Sequence, residues 1–178
     1  ENALRINPRK ICIVVGKYKS IIKDTLSYYI DIHSELFEFV EQPEALGTGH
    51  AIQCALSCLE YNNEKVIILS GDVPLLTYET MKELVEQTTH AGMLTFNATN
   101  PFGYGRIVKT NNCFKKIVEE KDCLEEEREI REVNSGIYVI QSKLLLKYIP
   151  KISNLNVAKE YYLTDVFEII KNNENINV

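Results

Sequence analysis

The chain has 178 residues, 45 % of them apolar and 25 % charged, with a net charge of −5. This is the composition of one globular domain long enough to bury a core, and its scattered lysines and arginines form no basic stripe that would suit nucleic acid. No apolar run reaches membrane-spanning length and the first residues, ENALRINPRK, hold no signal-peptide core; five cysteines without framework spacing suit the reducing cytoplasm.

Residues 10–16, KICIVVG, form a short β-branched run ending in glycine, which predicts a buried, parallel strand. Ile21, Ile22, Leu26, Tyr29 and Ile30 then follow at helix-face spacing. FEFVEQ, 37–42, reads as a second strand, Gly47-Thr48-Gly49 breaks the chain, and His50 to Leu59 reads as a helix. EKVIILSGD, 64–72, is the clearest strand. A helix over Tyr78 to Gln87 follows, with Thr80 and Glu83 in capping-box spacing, and then a strand over 92–99. The β-α-β-α-β alternation predicts an α/β fold: a mostly parallel open sheet flanked by helices.

The second half has a different pattern. GRIVKT and CFKKIVEE flank Asn111-Asn112, a pair able to take the positive φ values of a tight hairpin, so a β-hairpin insertion is expected. The charged run KDCLEEEREIRE reads as a solvated helix or loop, with Glu125 to Glu127 at the surface. VNSGIYVI, 133–140, is one more strand, followed by a helix up to Pro150. Thr164-Asp165 can cap a last helix, VFEIIKNN, before a polar tail.

In open α/β sheets, ligands bind beyond the carboxyl ends of the strands. Asp72 stands there, with Gly71 leaving room before it and Pro74 ending the pairing. Its carboxylate suits Mg²⁺ completed by substrate phosphates, and it suits equally an Asp that caps the following loop. Gly47-Thr48-Gly49-His50 opens a helix with free N–H groups, either an anion site or an ordinary helix entry. Gly103 and Gly105 around Tyr104 either admit a substrate to the backbone or simply turn the chain. His50, Cys54 and Cys58 share a helical face, but no fourth ligand accompanies them and core packing explains buried cysteines better than a metal does. No cysteine stands at an activated turn that would make it a nucleophile.

Six strings occur in order: QPEALGTGHAIQCAL, VIILSGDVPLL, NPFGYGRIV, KIVEEKD, EVNSGIYV and KEYYLTDVF. Together they resemble the uridylyltransferase domain of the bacterial bifunctional enzymes that make UDP-N-acetylglucosamine, over about Ile11 to Glu168. The resemblance implies a Rossmann-like nucleotide-diphospho-sugar transferase fold. It implies Mg-dependent transfer of UMP from UTP to N-acetylglucosamine 1-phosphate, giving UDP-N-acetylglucosamine, a precursor of cell-wall or surface glycans, and pyrophosphate. Gln42, Gly47 and Thr48 would contact uracil. Ser70, Gly71 and Asp72 would follow the ribose and phosphates, with Asp72 as catalytic metal ligand. Gly105, Glu119 and Asn134 would hold the sugar ring, and Tyr162 and Thr164 would close the sugar-phosphate side.

The resemblance also implies that residues 1–178 are a single nucleotidyltransferase domain lacking the family's N-terminal glycine-rich loop, a later metal-binding Asn and the C-terminal β-helix domain. That domain makes full-length family members homotrimers. On this view the chain is a fragment, expected to be inactive alone while keeping weak affinity for the nucleotide sugar, with an unpaired sheet edge where the first strand is missing. Two other readings stand beside it: a nucleotidyltransferase for another sugar 1-phosphate such as glucose 1-phosphate, and a non-catalytic nucleotide-sugar binding module.

Overall fold

The computed structural model describes residues 1–174, so the polar end of the tail lies outside the described residues. After a short helix, α1 (Asn2–Arg5), the β-branched run becomes β1 (Ile11–Val15). It pairs in parallel with β2 (Phe37–Glu41), Ile11 opposite Phe37 and Val15 opposite Glu41. The helical stretch between them is split into α2 (Lys19–Thr25) and α3 (Ser27–Ile32). Near the break the Thr25 hydroxyl bonds back to the Ile21 carbonyl at 2.8 Å, a contact that competes with the helical ladder.

The remaining strands form one five-stranded sheet. They are β3 (Lys65–Ile68), β4 (Ala91–Asn97), β5 (Arg106–Thr110), β6 (Cys113–Val118) and β7 (Glu132–Gln141). The α/β class holds, but parallel pairing is confined to β1 and β2 among the described residues. β3 and β4 both lie antiparallel to β7, which runs between them. The reason is the composition of β7: Val133 and Ile137–Ile140 are all buried, so this strand occupies the centre. β5 and β6 are the expected hairpin, turned by Asn111 and Asn112 at φ 52° and 62°.

Helices α4 (Thr48–Ala55), α5 (Tyr78–Gln87), α6 (Glu125–Arg128), α7 (Ser142–Tyr148) and α8 (Asp165–Glu174) complete the chain. α4 stops at Ala55, four residues short of Leu59, and Leu56–Cys58 continue as a 3₁₀ turn. The cap of α5 is Thr77, whose hydroxyl accepts the Thr80 amide at 3.2 Å; the capping-box spacing of Thr80 and Glu83 is not used. Glu125 and Glu126 are exposed as expected, whereas Glu127 is buried, accepting the Leu124 amide at 2.9 Å and pairing with Lys116 at 3.2 Å. The core lies in the second half, where Ile140, Leu145, Tyr148, Ile149, Val166, Phe167 and Ile170 pack between β7, α7 and α8. Among the described residues, no helix is long and apolar enough to cross a membrane.

Candidate functional site at a gap in the sheet

Tyr138 pairs with Ile68 and Met93, and Val133 pairs with Arg106 and Phe96. β3 and β5 therefore share the edge of β7 opposite β4, with a gap between them. β7 is bulged at this gap: Met93 faces Tyr138 and Thr95 faces Asn134, so three residues of β7 oppose Leu94 alone. Gly136, inside the bulge, has φ 79°, and a Cβ there would lie 2.7 Å from Ser70 Oγ. That hydroxyl donates to the Gly136 carbonyl at 3.1 Å and ties the turn after β3 to the bulge.

Two groups of residues border the gap, and a third joins the second through the segment Tyr161 to Thr164. The Ser70-Gly71-Asp72 turn enters from the carboxyl end of β3, as expected for this fold class. Gly71 has no neighbour within 4 Å of where a Cβ would sit. Asp72 is exposed, and its carboxylate has no hydrogen bond or ion pair among the described residues. A cavity of about 460 Å³ opens beside the turn, lined by Asn2, Tyr29, Leu69, Ser70, Gly71 and Ile137 among others.

The second group surrounds Gly105, which immediately precedes β5 and whose carbonyl accepts the Asn134 amide at 2.8 Å. Glu119, at the end of β6, lies over it: a Cβ on Gly105 would be 3.2 Å from the carboxylate. Thr164 donates to Glu119 at 2.8 Å. Asn134 donates from Nδ2 to the Tyr138 hydroxyl at 2.6 Å and accepts the Gly136 amide at 3.1 Å. Burial raises the Glu119 carboxyl above the usual carboxylate range, and the negative charge of Asp122 adds to the shift. Asp165 is pushed up to about 6, by burial first and then by Glu119 and Glu168. Tyr162 is pushed up to about 12 by burial and by Asp122.

In the third group, the backbone of Gly47 to Gly49 is clamped to Tyr161. The Gly49 amide donates to the Tyr161 carbonyl at 2.7 Å, and the Tyr161 amide donates to Leu46 at 2.8 Å. Gly47 needs φ 109° and leaves no room for a side chain, since a Cβ would stand 2.6 Å from the Tyr161 carbonyl. Gln42 donates to the Gly47 carbonyl at 3.1 Å and contacts His50 Nδ1 at 3.1 Å. Thr48 Oγ1 accepts the Leu163 amide at 3.1 Å. The segment Tyr161 to Thr164 thus links the Gly47 loop on one side to Glu119 on the other. Buried Thr164 spends its hydroxyl on Glu119, and Thr48 and Ser70 also bond to the protein.

Of the helical face carrying His50, Cys54 and Cys58, only the first two stay together, at 3.8 Å; Cys58 turns to Cys12, with the sulfurs 3.2 Å apart. Among the described residues, no group of three His, Cys, Asp or Glu side chains could hold a metal ion. A cation at Asp72 would therefore take one carboxylate from the chain. That fits Mg²⁺, which commonly binds one or two carboxylates and completes its shell with substrate phosphates and water.

The nucleotidyl transferase family matches residues 1–177. The chain belongs to this family. It is 41 % identical over 183 aligned residues to a probable UDP-N-acetylglucosamine pyrophosphorylase of Acanthamoeba polyphaga mimivirus, covering all of this chain and 71 % of that protein. It is 42 % identical over 163 residues to the bifunctional protein GlmU of Clostridium perfringens (strain SM101 / Type A), covering 89 % of this chain. The chain spans about a third of GlmU, 35 % of its length. In fold it resembles a crystal structure of UDP-glucose pyrophosphorylase complexed with UDP-glucose, with TM-score 0.70 at 18 % identity over 99 % of this chain and 74 % of that one.

Several residues that hold this arrangement together were not legible from the sequence. Arg106, Glu120 and Asp122 meet partners far along the chain, so no local pattern marks them, and Tyr138 meets Asn134, four residues before it, only because the bulge brings the two together. The clustered acids of VEEKD are the nearest to a signal.

Proposed function

We propose that this chain is the nucleotidyl-transferring unit that joins UMP from UTP to N-acetylglucosamine 1-phosphate in the cytoplasm. The observation that supports this most is the convergence at one sheet gap of Ser70-Gly71-Asp72, Gly105, Glu119 and Asn134, together with the 41 % identity to a probable UDP-N-acetylglucosamine pyrophosphorylase. A phosphate oxygen of the sugar 1-phosphate attacks the α-phosphorus of UTP. The new P–O bond forms as the bond to the β-phosphate bridging oxygen breaks, and pyrophosphate leaves with that electron pair. The chain's part is positioning and electrostatics, since such chemistry needs no covalent nucleophile.

Gln42, Gly47 and Thr48 form the wall assigned to uracil, where clamped backbone offers fixed polar edges. The open turn at Gly71 lets phosphates run past the backbone. Asp72 would hold Mg²⁺, which when bound supplies charge neutralisation on the phosphates. Glu119, Asn134 and Gly105 face the sugar, and Thr164 keeps the Glu119 carboxylate in place. Tyr162 stands on the sugar-phosphate side of this wall.

Calorimetric titration with UDP-N-acetylglucosamine and UDP-glucose, each with and without Mg²⁺, tests the reading. The acetamido sugar should bind at least tenfold tighter, because a site built for its polar groups leaves them unpaired with glucose. Equal affinity for the two sugars, or none for either, would sink it.

A further inference from the structure

Asn134 has its carboxamide fixed at both ends. Its oxygen accepts the Gly136 amide at 3.1 Å and its nitrogen donates to the Tyr138 hydroxyl at 2.6 Å. The orientation follows from chemistry: a backbone N–H can only donate, so the carbonyl end must face Gly136 and the NH₂ end must face Tyr138. The bulge is what makes this possible. It places Asn134 and Tyr138 on the same side of β7 although the strand between them carries an extra turn at Gly136.

Tyr138 is itself held firmly. It is 4 % exposed, and its ring lies 5.2 Å from that of Phe167, two residues past the start of α8. Burial pushes its hydroxyl far above the usual tyrosine range, so it stays a neutral phenol, with Asn134 and Glu119 as its polar neighbours. The amide hydrogen of Asn134 that Tyr138 does not take is left for a ligand acceptor. The same helix start carries Thr164, the donor to Glu119.

We propose that Tyr138 is a positioning residue for sugar recognition: its hydroxyl sets the Asn134 carboxamide so that one N–H points at an acceptor oxygen of the bound sugar. α8 then fixes both sugar-facing side chains, Glu119 through Thr164 and Asn134 through Phe167 and Tyr138. This inference rests on the proposed function above.

The test is a double-mutant cycle read by titration with UDP-N-acetylglucosamine and with UDP, using the wild-type chain, Tyr138→Phe, Asn134→Ala and the double variant. Tyr138→Phe should weaken the nucleotide sugar roughly tenfold, leave UDP unchanged, and add no further loss in the Asn134→Ala background. Equal losses for both ligands, an unchanged preference, or additive losses would overturn the role of Tyr138 and leave the proposed function standing. A wild-type chain that does not prefer the nucleotide sugar to UDP overturns the proposed function, and this inference with it. NMR of the wild-type chain gives a check that does not depend on any variant. One Asn134 side-chain amide proton should exchange with water markedly more slowly than those of exposed asparagines, and equally fast exchange overturns the assignment.

Discussion

Glu120 accepts a charged hydrogen bond from Arg106 at 2.7 Å, and the arginine is 2 % exposed. The same carboxylate accepts the Gly103 amide at 3.0 Å, and Arg106 also donates to the Tyr104 carbonyl. One ion pair therefore holds both ends of the glycine turn that delivers Gly105 to the site. Such a pair contributes less than its Coulomb energy suggests, yet breaking it strands a charge.

Glu120→Ala should cost about 3 kcal/mol, because Arg106 is left buried without its partner. For a chain of this size that corresponds to a fall of roughly 6–12 °C in Tm. Arg128, which reaches Glu120 at 3.6 Å from an exposed position, is the control. Arg128→Ala should change stability by no more than about 0.5 kcal/mol. Thermal unfolding followed by circular dichroism measures both.

Two glycines should separate fold from function. Gly47→Ala forces a Cβ to 2.6 Å from the Tyr161 carbonyl at φ 109°, and should cost about 2 kcal/mol or more in urea unfolding. Gly71→Ala meets nothing within 4 Å, so its stability should hold. Its affinity for UDP-N-acetylglucosamine should nevertheless drop several-fold, if phosphates pass the backbone there. Unchanged affinity would remove the Gly71 turn from the phosphate path.

Asp72→Asn should leave Tm unchanged, since the carboxylate is exposed and has no partner among the described residues. What it should abolish is the gain in nucleotide-sugar affinity on adding Mg²⁺. A variant that keeps the full Mg²⁺ effect would exclude Asp72 as the ligand.

Asp165 gives stability a pH dependence of definite sign. Its folded pKa of about 6 lies above the ordinary 3.8, so between those values the folded chain holds more protons than the unfolded one. Stability contributed at this position is greatest at low pH and declines as pH rises from about 4 to 6. Asp165→Asn cannot titrate, so its stability relative to wild type should rise over the same interval and level off above it. Urea unfolding at pH 4, 5, 6 and 7 would show this, and a constant difference would contradict the burial of Asp165 against Glu119.

Much of this protein was legible in its residues because local rules and tertiary packing agree. β-branched runs made β1, β3 and β7. Asn111-Asn112 turned the hairpin, and α5 occupies the expected residues. The ordered motifs pointed to the nucleotidyl transferase family, and Asp72 stands beyond a strand end as the alternation required. Sheet order was not legible, because strand pairing joins segments tens of residues apart and a buried strand reads alike beside a parallel or an antiparallel neighbour. The apolar run of β7 could not disclose that it would separate β3 from β4. Glu127 read as surface because its burial depends on Lys116 and the Leu124 amide. Tyr138 escaped notice for the same reason, since its hydroxyl meets Asn134 only through the bulge, whereas the Thr77 cap on the Thr80 amide is local. The sequence by itself determined the elements, the family and the residue types available for chemistry. Only the tertiary structure decided which of them meet, because the bulge at Gly136 and the gap between β3 and β5 are products of long-range pairing.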